Sequence, residues 1–443
     1  MPTFRMISLG CSRNLVDSEV IAGSLKRAGY DPVADGPGDL CIINTCAFIE
    51  EARKESVDAI IEAGSLKRSG KIGHIVVCGC LPQLYKKKLG PELPEADLIV
   101  GTADFPHLPR LLKKLSNKQR IDVSKSPRYI YDEHSSRMLL TPGHYAYVKI
   151  SEGCSNRCSY CIISRLRGNL RSRPIASILR EVEMLAAPAK LREINLVGQD
   201  TTRYGYDLYG RPRLSELVKR LSGLNNGIGW IRLLYTHPAH YTEDLIKTVR
   251  DEDRVCKYLD IPIQHSSDRI LKAMNRRTTK KDLIGLIDKV RSMIPNITLR
   301  TSVIVGFPGE TEKDFSDLVK FVREVSFDRL GAFVYSREDG TCASKMPKQI
   351  PGSVKASRLD EIMKVQQTVS LSKNRKKIGS RMKVLIDERE AGCPDKFVGR
   401  TEGDAPEVDG NIIVSGKDIK IGEFCDVRIT DAMEYDLVGE SVE

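Results

Sequence analysis

Lys149-Ile150-Ser151-Glu152-Gly153-Cys154-Ser155-Asn156-Arg157-Cys158-Ser159-Tyr160-Cys161 is the stretch on which the reading of this chain turns. It leaves an apolar run, Tyr145–Ile150, and enters at once a C-x3-C-x2-C triplet. Three thiolates within eight residues can hold three irons of a [4Fe–4S] cluster and leave the fourth without a protein ligand. A small molecule can chelate that open iron and receive an electron there. Zinc sites also use short cysteine spacings. Here, however, no fourth Cys or His follows within twenty residues, and the nearest upstream is His144.

Beyond the loop, strand patterns recur at Glu193–Val197, Ile231–Tyr235, Tyr258–Ile263, Thr298–Val305 and Leu330–Tyr335. Helical patterns separate them at Ile175–Ala186, Leu214–Leu221, Glu243–Val249, Lys281–Met293 and Glu312–Val325. Six strand–helix repeats predict a parallel (βα)6 partial barrel over 143–375, with the cysteine loop directly after its first strand. The active sites of barrels lie at that carboxyl end.

Upstream, residues 1–115 predict a small doubly wound α/β domain. Phe4–Leu9, Leu40–Asn44, Ile72–Val77 and Asp97–Val100 read as buried parallel strands, and Asp17–Ala28, Glu50–Ala63 and Leu108–Leu115 as helices. Cys11, Cys46 and Cys80 each fall just past one of the first three strands. Ligands of such sheets bind beyond the carboxyl ends of the strands, so the three thiols converge and can build a second open-iron cluster. The alternative is that they are buried structural cysteines. Residues 116–142, with Pro127 and Pro142, read as an irregular linker. Downstream, a long basic helix over 354–377 ends in Lys373-Asn374-Arg375-Lys376-Lys377. Short strands at Met382–Ile386, Phe397–Arg400, Asn411–Val414 and Phe424–Ile429 then predict a five-stranded OB-like barrel over 376–443.

Two or three domains are expected for 443 residues. The sequence has no apolar run of membrane-spanning length and no signal-peptide core at its start, so a cytoplasmic protein with no membrane partner is expected. Twelve cysteines in such a chain point to metal chemistry rather than a disulfide framework. The net charge of +11 is uneven: residues 380–443 carry 16 acidic against 8 basic residues, a net −8, which leaves +19 on the remainder. Two surfaces for different partners are implied.

With these motifs in view, the chain resembles the methylthiotransferase branch of the radical S-adenosylmethionine (radical SAM) enzymes over nearly its whole length. The resemblance rests on Leu9-Gly10-Cys11-Ser12-Arg13-Asn14-Leu15-Val16-Asp17-Ser18-Glu19, Ile43-Asn44-Thr45-Cys46, Cys78-Gly79-Cys80, the central triplet, Arg167-Gly168 and Ser172-Arg173. The last segment resembles a TRAM domain. The resemblance implies S-adenosylmethionine and two [4Fe–4S] clusters, one on Cys154, Cys158 and Cys161 and the other on Cys11, Cys46 and Cys80. It also implies an external electron donor and sulfur source.

Further stretches resemble the members that methylthiolate the β-carbon of an aspartate in the twelfth protein of the small ribosomal subunit. These are Val197–Gly205, Asp260–Asp268 and Tyr435–Glu440. The tRNA-modifying members share the architecture and are the alternative, and a non-catalytic iron–sulfur or zinc protein that binds nucleic acid is a remote one. A net −8 tail repels a phosphate backbone and attracts a basic ribosomal protein, which would dock on the TRAM domain. The basic run at Lys373–Lys377 keeps a ribosomal RNA contact open.

Gly198-Gln199-Asp200 replaces the family's usual Gly-Gly-Glu, so Gln199 or Asp200 is expected to accept from the cofactor's amino group. Tyr160 is a candidate neighbour of the adenine, and Arg300 a candidate partner for a cofactor or substrate carboxylate, with a structural salt bridge as the competing role. His265 is expected to support the site from behind. In Ser302–Glu310 the family's glutamate falls one place late, which leaves the role of Glu310 open. Cys78, two residues from Cys80, is able to replace it as a ligand, whereas Cys41 reads as core. Cys256, Cys342, Cys393 and Cys425 fit no cluster spacing.

Overall fold

Alternation within one strand decides the amino-terminal layers. In Gly38–Thr45, Leu40 and Ile42 join an apolar cluster with Val16, Val20 and Ile21, whereas Cys41 and Ile43 join another with Ile60 and Ala63. A strand apolar on both faces needs helices on both sides, and helices Ser12–Arg27 and Glu50–Arg68 supply them. The computed structural model describes every residue except Asp35, Asn117 and Glu443. Its first sheet contains β1 (Thr3–Ser8), β2 (Asp31–Pro32), β3 (Gly38–Thr45), β4 (Ile72–Gly79), β5 (Leu98–Val100) and β6 (Arg120–Asp122), parallel throughout in the order 2-1-3-4-5-6. The order reverses between β1 and β3, the crevice where doubly wound sheets bind ligands.

β6 lies within the stretch expected to be irregular. Its three residues carry no apolar run, so only backbone pairing with β5 reveals it. The same limit hid the two-residue strands β8 (Ser151–Glu152) and β9 (Arg171–Ser172), an antiparallel pair that follows β7 (Tyr145–Lys149) and brackets the cysteine loop.

The second sheet continues from β7 through β10 (Glu193–Val197), β11 (Trp230–Leu233), β12 (Val255–Asp260), β13 (Thr298–Val305) and β14 (Arg329–Val334). All its neighbours are parallel, and it stays open between β7 and β14. Ile194, Leu196, Ile231, Leu259, Leu299 and Val303 face the apolar sides of the flanking helices. Capping boxes at Thr279/Asp282 and Thr311/Asp314 fix two of those helix starts.

The carboxyl-terminal strands β15 (Arg381–Arg389), β16 (Lys396–Thr401), β17 (Ile412–Ser415), β18 (Phe424–Ala432) and β19 (Leu437–Ser441) close into a barrel around Val384, Ile386, Val414 and Val427. Its loop between β16 and β17 plugs the amino end of the partial barrel. Arg329 donates to Asp404 at 2.6 Å, Tyr258 to Asp409 at 2.7 Å, Arg300 to Asp409 at 3.2 Å and Arg232 to the Glu402 carbonyl at 2.5 Å. Arg400 reaches the other way, to Glu193 at 2.6 Å. Asp404 and Asp409 of the acidic tail are therefore turned inward, while Glu388, Asp395, Asp418, Asp426, Asp431 and Glu440 remain exposed. Among the described residues, no helix is long and apolar enough to cross a membrane.

Candidate active site

Backbone bonds shape the cysteine loop. Gly153 has φ +81°, and a Cβ there would meet the Asn169 carbonyl oxygen at 2.2 Å, so only glycine fits. Cys154 N donates to Gly168 O at 3.0 Å, Cys161 N to Cys158 O at 3.0 Å and Ser159 N to Met274 O at 2.9 Å. Cys154, Cys158 and Cys161 emerge from this frame half-buried and free of disulfides. Burial pushes the Cys154 thiol up to about 11 and that of Cys161 up to about 12, so each must give up a proton to bind iron.

The neighbours expected from sequence sort into different roles. Gln199 Nε2 donates to Glu152 at 2.6 Å, which leaves its buried Oε1 without a partner. Asp200 is already engaged: Asn156 of the cysteine loop donates to it at 2.7 Å, Thr202 at 2.5 Å, and His240 Nδ1 lies 2.9 Å away. Burial opposes its ionisation, yet the His240 contact and the nearby histidines hold the carboxyl down to about 2. Tyr160 packs behind the loop against the cluster of Met274, Phe307 and Tyr335. Arg300 forms ion pairs with Asp260 (3.0 Å) and Asp409 (3.2 Å), the structural role that competed with cofactor binding. Glu310 accepts from Arg358 at 2.8 Å and from Phe307 N at 3.2 Å, which closes the loop after β13. His265, fully buried, accepts from Ser266 N and Ser267 N through Nδ1.

One grouping escaped sequence reading. Ligand atoms of Asp200, His237 and His240 lie within 4.8 Å of one another, and the two imidazoles stack. The signal available was Thr236-His237-Pro238-Ala239-His240, which holds two of the chain's seven histidines.

The second triplet sits at the switch point of the first sheet. Cys11 caps helix Ser12–Arg27, Cys46 follows β3, and Cys80 opens helix Cys80–Tyr85. Gly10 (φ +87°) lets Cys46 approach so closely that a Cβ at residue 10 would lie 2.8 Å from its sulfur. Burial pushes Cys46 up to about 12, and both Cys80 and Cys11 add to the rise. Burial also opposes ionisation of Cys11, but the Arg13 charge and hydrogen bond hold that thiol below its ordinary value. Cys78 turns away into the core beside Val76, Leu98 and Val100, with its sulfur 3.6 Å from the Ile43 carbonyl. Arg167 donates instead to Cys80 Sγ, at 3.4 Å.

Among the described residues, neither cysteine triplet gathers within the single-ion span that Asp200, His237 and His240 meet. Zinc, with Zn–S bonds of about 2.3 Å, requires such closeness. Two sets of three free thiols, each beside a buried arginine donor, offer the donor chemistry of a three-cysteine iron–sulfur site.

A buried ionic bridge joins the two sites. Asp17 accepts from Lys149 and from Arg167, and Glu152 accepts from Lys149 at 2.7 Å and Arg167 at 3.3 Å. Asp17 follows Cys11 on its helix, whereas Lys149 ends β7 just before the other triplet. Arg13 adds a second link, donating to the Gly198 carbonyl at 3.1 Å and lying 4.2 Å over the Tyr235 ring. Sequence reading placed Arg13 and Arg167 inside motifs but gave them no task.

Comparison with known proteins agrees with this layout. Residues 148–322 match the Radical SAM superfamily, residues 3–101 the Uncharacterized protein family UPF0004, and residues 378–442 the TRAM domain. The ribosomal protein uS12 methylthiotransferase RimO of Clostridioides difficile (strain 630) is 47% identical over 435 residues, 98% of this chain and 97% of that protein. Its namesake in Geobacter sulfurreducens is 45% identical over 439 residues, 99% of this chain and 98% of that protein. The radical SAM methyltransferase TsrM of Kitasatospora setae, solved with cobalamin and a [4Fe-4S] cluster bound, shares the fold. Its TM-score is 0.58 at 13% identity, over 90% of this chain and 80% of that one. Identity near one half, sustained through all three domains in the same order, means that the chain belongs to the RimO family of radical SAM methylthiotransferases.

Proposed function

We infer that this chain methylthiolates ribosomal protein uS12, at the β-carbon of an aspartate, using S-adenosylmethionine and two [4Fe–4S] clusters. The observation that carries the reading is the pair of three-cysteine sites held on either side of one buried ionic bridge. When bound, S-adenosylmethionine and a cluster on Cys154, Cys158 and Cys161 supply C–H activation, and a cluster on Cys11, Cys46 and Cys80 supplies sulfur.

The chain's own residues do the positioning. The free Gln199 Oε1 is the acceptor for the cofactor's amino group, while Asp200 steadies the cysteine loop through Asn156. Tyr160 backs that loop from the apolar side. Arg300, with two carboxylates already on it, stays in the scaffold. The uS12 body docks on the outward acids of the TRAM domain, such as Asp395 and Asp418, since Asp404 and Asp409 are engaged inside. Reductant and sulfur come from outside the chain, and a ribosomal substrate fits a cytoplasmic location.

The test offers uS12 and tRNA separately to anaerobically reconstituted protein with S-adenosylmethionine, sulfide and a reductant, followed by mass spectrometry. A methylthio group on an aspartate of uS12 alone is the expected product. Modification of tRNA alone would refute the substrate assignment.

A further inference from the structure

A cavity of about 790 Å³ flanks the cysteine loop, and its lining carries Lys86, Lys125, Arg128, Arg165 and Arg171 with no carboxylate. Three segments build it. Lys86 follows the helix that Cys80 opens, Lys125 and Arg128 come from the connection between the domains, and Arg165 and Arg171 lie just beyond the central triplet. Gly168, which also lines it, accepts the backbone bond of Cys154.

These cations differ in their surroundings from six arginines of the scaffold. Arg137, Arg167, Arg173, Arg329, Arg358 and Arg400 each meet a carboxylate. Among the described residues, none of the five in the cavity forms an ion pair. Arg165 donates only to the Asp339 carbonyl, and Arg171 to the carbonyls of Asn169, Arg167 and Tyr129. Neither guanidinium has a carboxylate within ion-pair distance among the described residues. A cavity of similar size, about 810 Å³, lies over helix Glu50–Arg68 but mixes Glu50, Glu51 and Asp58 with Arg53, Lys54 and Lys88.

We propose that the basic cavity beside the cysteine loop is a docking site for an RNA phosphate backbone, engaged while the enzyme works on a substrate that RNA carries. Five cations from three separate segments exceed what a single phosphate can pair with, and successive phosphates match them. The other basic feature, the helix end at Lys373–Lys377, does not qualify. Lys373 pairs with Asp328, and Asn374 bonds the Met433 carbonyl, which places that helix end beside the TRAM domain, away from the cysteine loop. That the RNA is ribosomal rests on the uS12 assignment, whereas the charge of the cavity does not.

The experiment measures binding of the full-length, iron-loaded protein to protein-free small-subunit ribosomal RNA across a salt series. It compares wild type with K125E/R128E, with the milder K125A/R128A, and with R375E/K376E as a control of equal charge change. The expected result is RNA affinity at least tenfold weaker for both cavity variants and nearly unchanged for the control. The log–log salt slope should become shallower by about one for each phosphate that is no longer neutralised. Equal weakening in cavity and control variants would mean a diffuse basic surface, and no weakening would mean no site. Either result overturns the proposal. Competition by inorganic phosphate at low millimolar concentration, or by polyglutamate as effectively as by RNA, overturns it too, in favour of a single-anion pocket or an acidic protein. Methylthiolation of uS12 is read separately, on the isolated protein and on the assembled small subunit: its absence from both with RNA binding intact defeats the substrate assignment and leaves the cavity's role standing.

Discussion

Arg13 Nε lies 3.4 Å from Cys11 Sγ, and the same guanidinium grips the Gly198 carbonyl in the turn that carries Gln199. A cation donating to a cluster ligand stabilises the more negative, reduced state and so raises the reduction potential. In protein lacking the central triplet (Cys154→Ala, Cys158→Ala, Cys161→Ala), Arg13→Met is expected to lower the potential of the remaining cluster. The shift expected is about tenfold in the one-electron equilibrium, roughly 59 mV. Arg13→Lys restores most of it. An electron paramagnetic resonance redox titration reads both, with iron content showing that the cluster is present.

Cys80 and Cys78 separate by environment. The first receives Arg167 beside Cys46 and Cys11, whereas the second is sealed among Val76, Leu98 and Val100. In the same background Cys80→Ala should abolish iron binding. Cys78→Ala should retain iron and cost only packing, about 1 kcal/mol. Iron analysis paired with urea titration distinguishes them, and the reverse pattern would reassign the ligand.

The bridge between domains is sensitive to single removals. Asp17 is the only carboxylate from the amino-terminal domain on Lys149 and Arg167 among the described residues. Asp17→Asn leaves two buried cations facing Glu152 alone and should destabilise the chain by about 3 kcal/mol. Adding Lys149→Met should cost less than the two single changes summed, because the second removal relieves an unpaired charge. Denaturant midpoints for the four proteins give the coupling.

Acid should loosen the TRAM domain first. Burial opposes ionisation of Asp404 and Asp387, but Arg329 for the former, and His144 with Arg400 for the latter, hold both carboxyls below their ordinary values. Depressed carboxyls stabilise the docked state above the ordinary aspartate pKa of about 4, and that contribution disappears as pH falls through the depressed values. Asp409, which burial pushes up, acts in the opposite direction and offsets part of the loss. The single tryptophan reports the event: Trp230 sits edge-on to Phe424 of the TRAM domain, with ring centroids 4.8 Å apart. Its emission should shift to the red below pH 4, ahead of the far-ultraviolet circular dichroism change.

Period and spacing made the large elements legible. Glu193–Val197, Ile175–Ala186, Thr298–Val305 and Glu312–Val325 fall where the apolar pattern puts them, because burial on fixed faces is what that pattern encodes. The strands β6, β8 and β9 were invisible, since two or three residues cannot display a period. At the site, Cys154, Cys158 and Cys161 stood out by their spacing, and Cys11, Cys46 and Cys80 by their places just past strands. The inward turn of the TRAM acids was not, because net charge does not say which carboxylates will find an arginine. Asp404 meeting Arg329 across 75 residues of sequence is a tertiary event. Asp200, too, looked like a free acceptor until Asn156, Thr202 and His240 were seen to occupy it.

The loop that carries Asp404 and Asp409 works as a stopper. A vessel corked at its base is filled and emptied from its mouth, which here runs into the open side between β7 and β14, so the peptide, fresh cofactor and spent cofactor fragments share that doorway. Cofactor and peptide both pass through that doorway, so their traffic has to be scheduled. The seated peptide must step back, or the cofactor must be exchanged before the peptide arrives. Order of arrival then becomes part of how this enzyme works, and the cork is what imposes it.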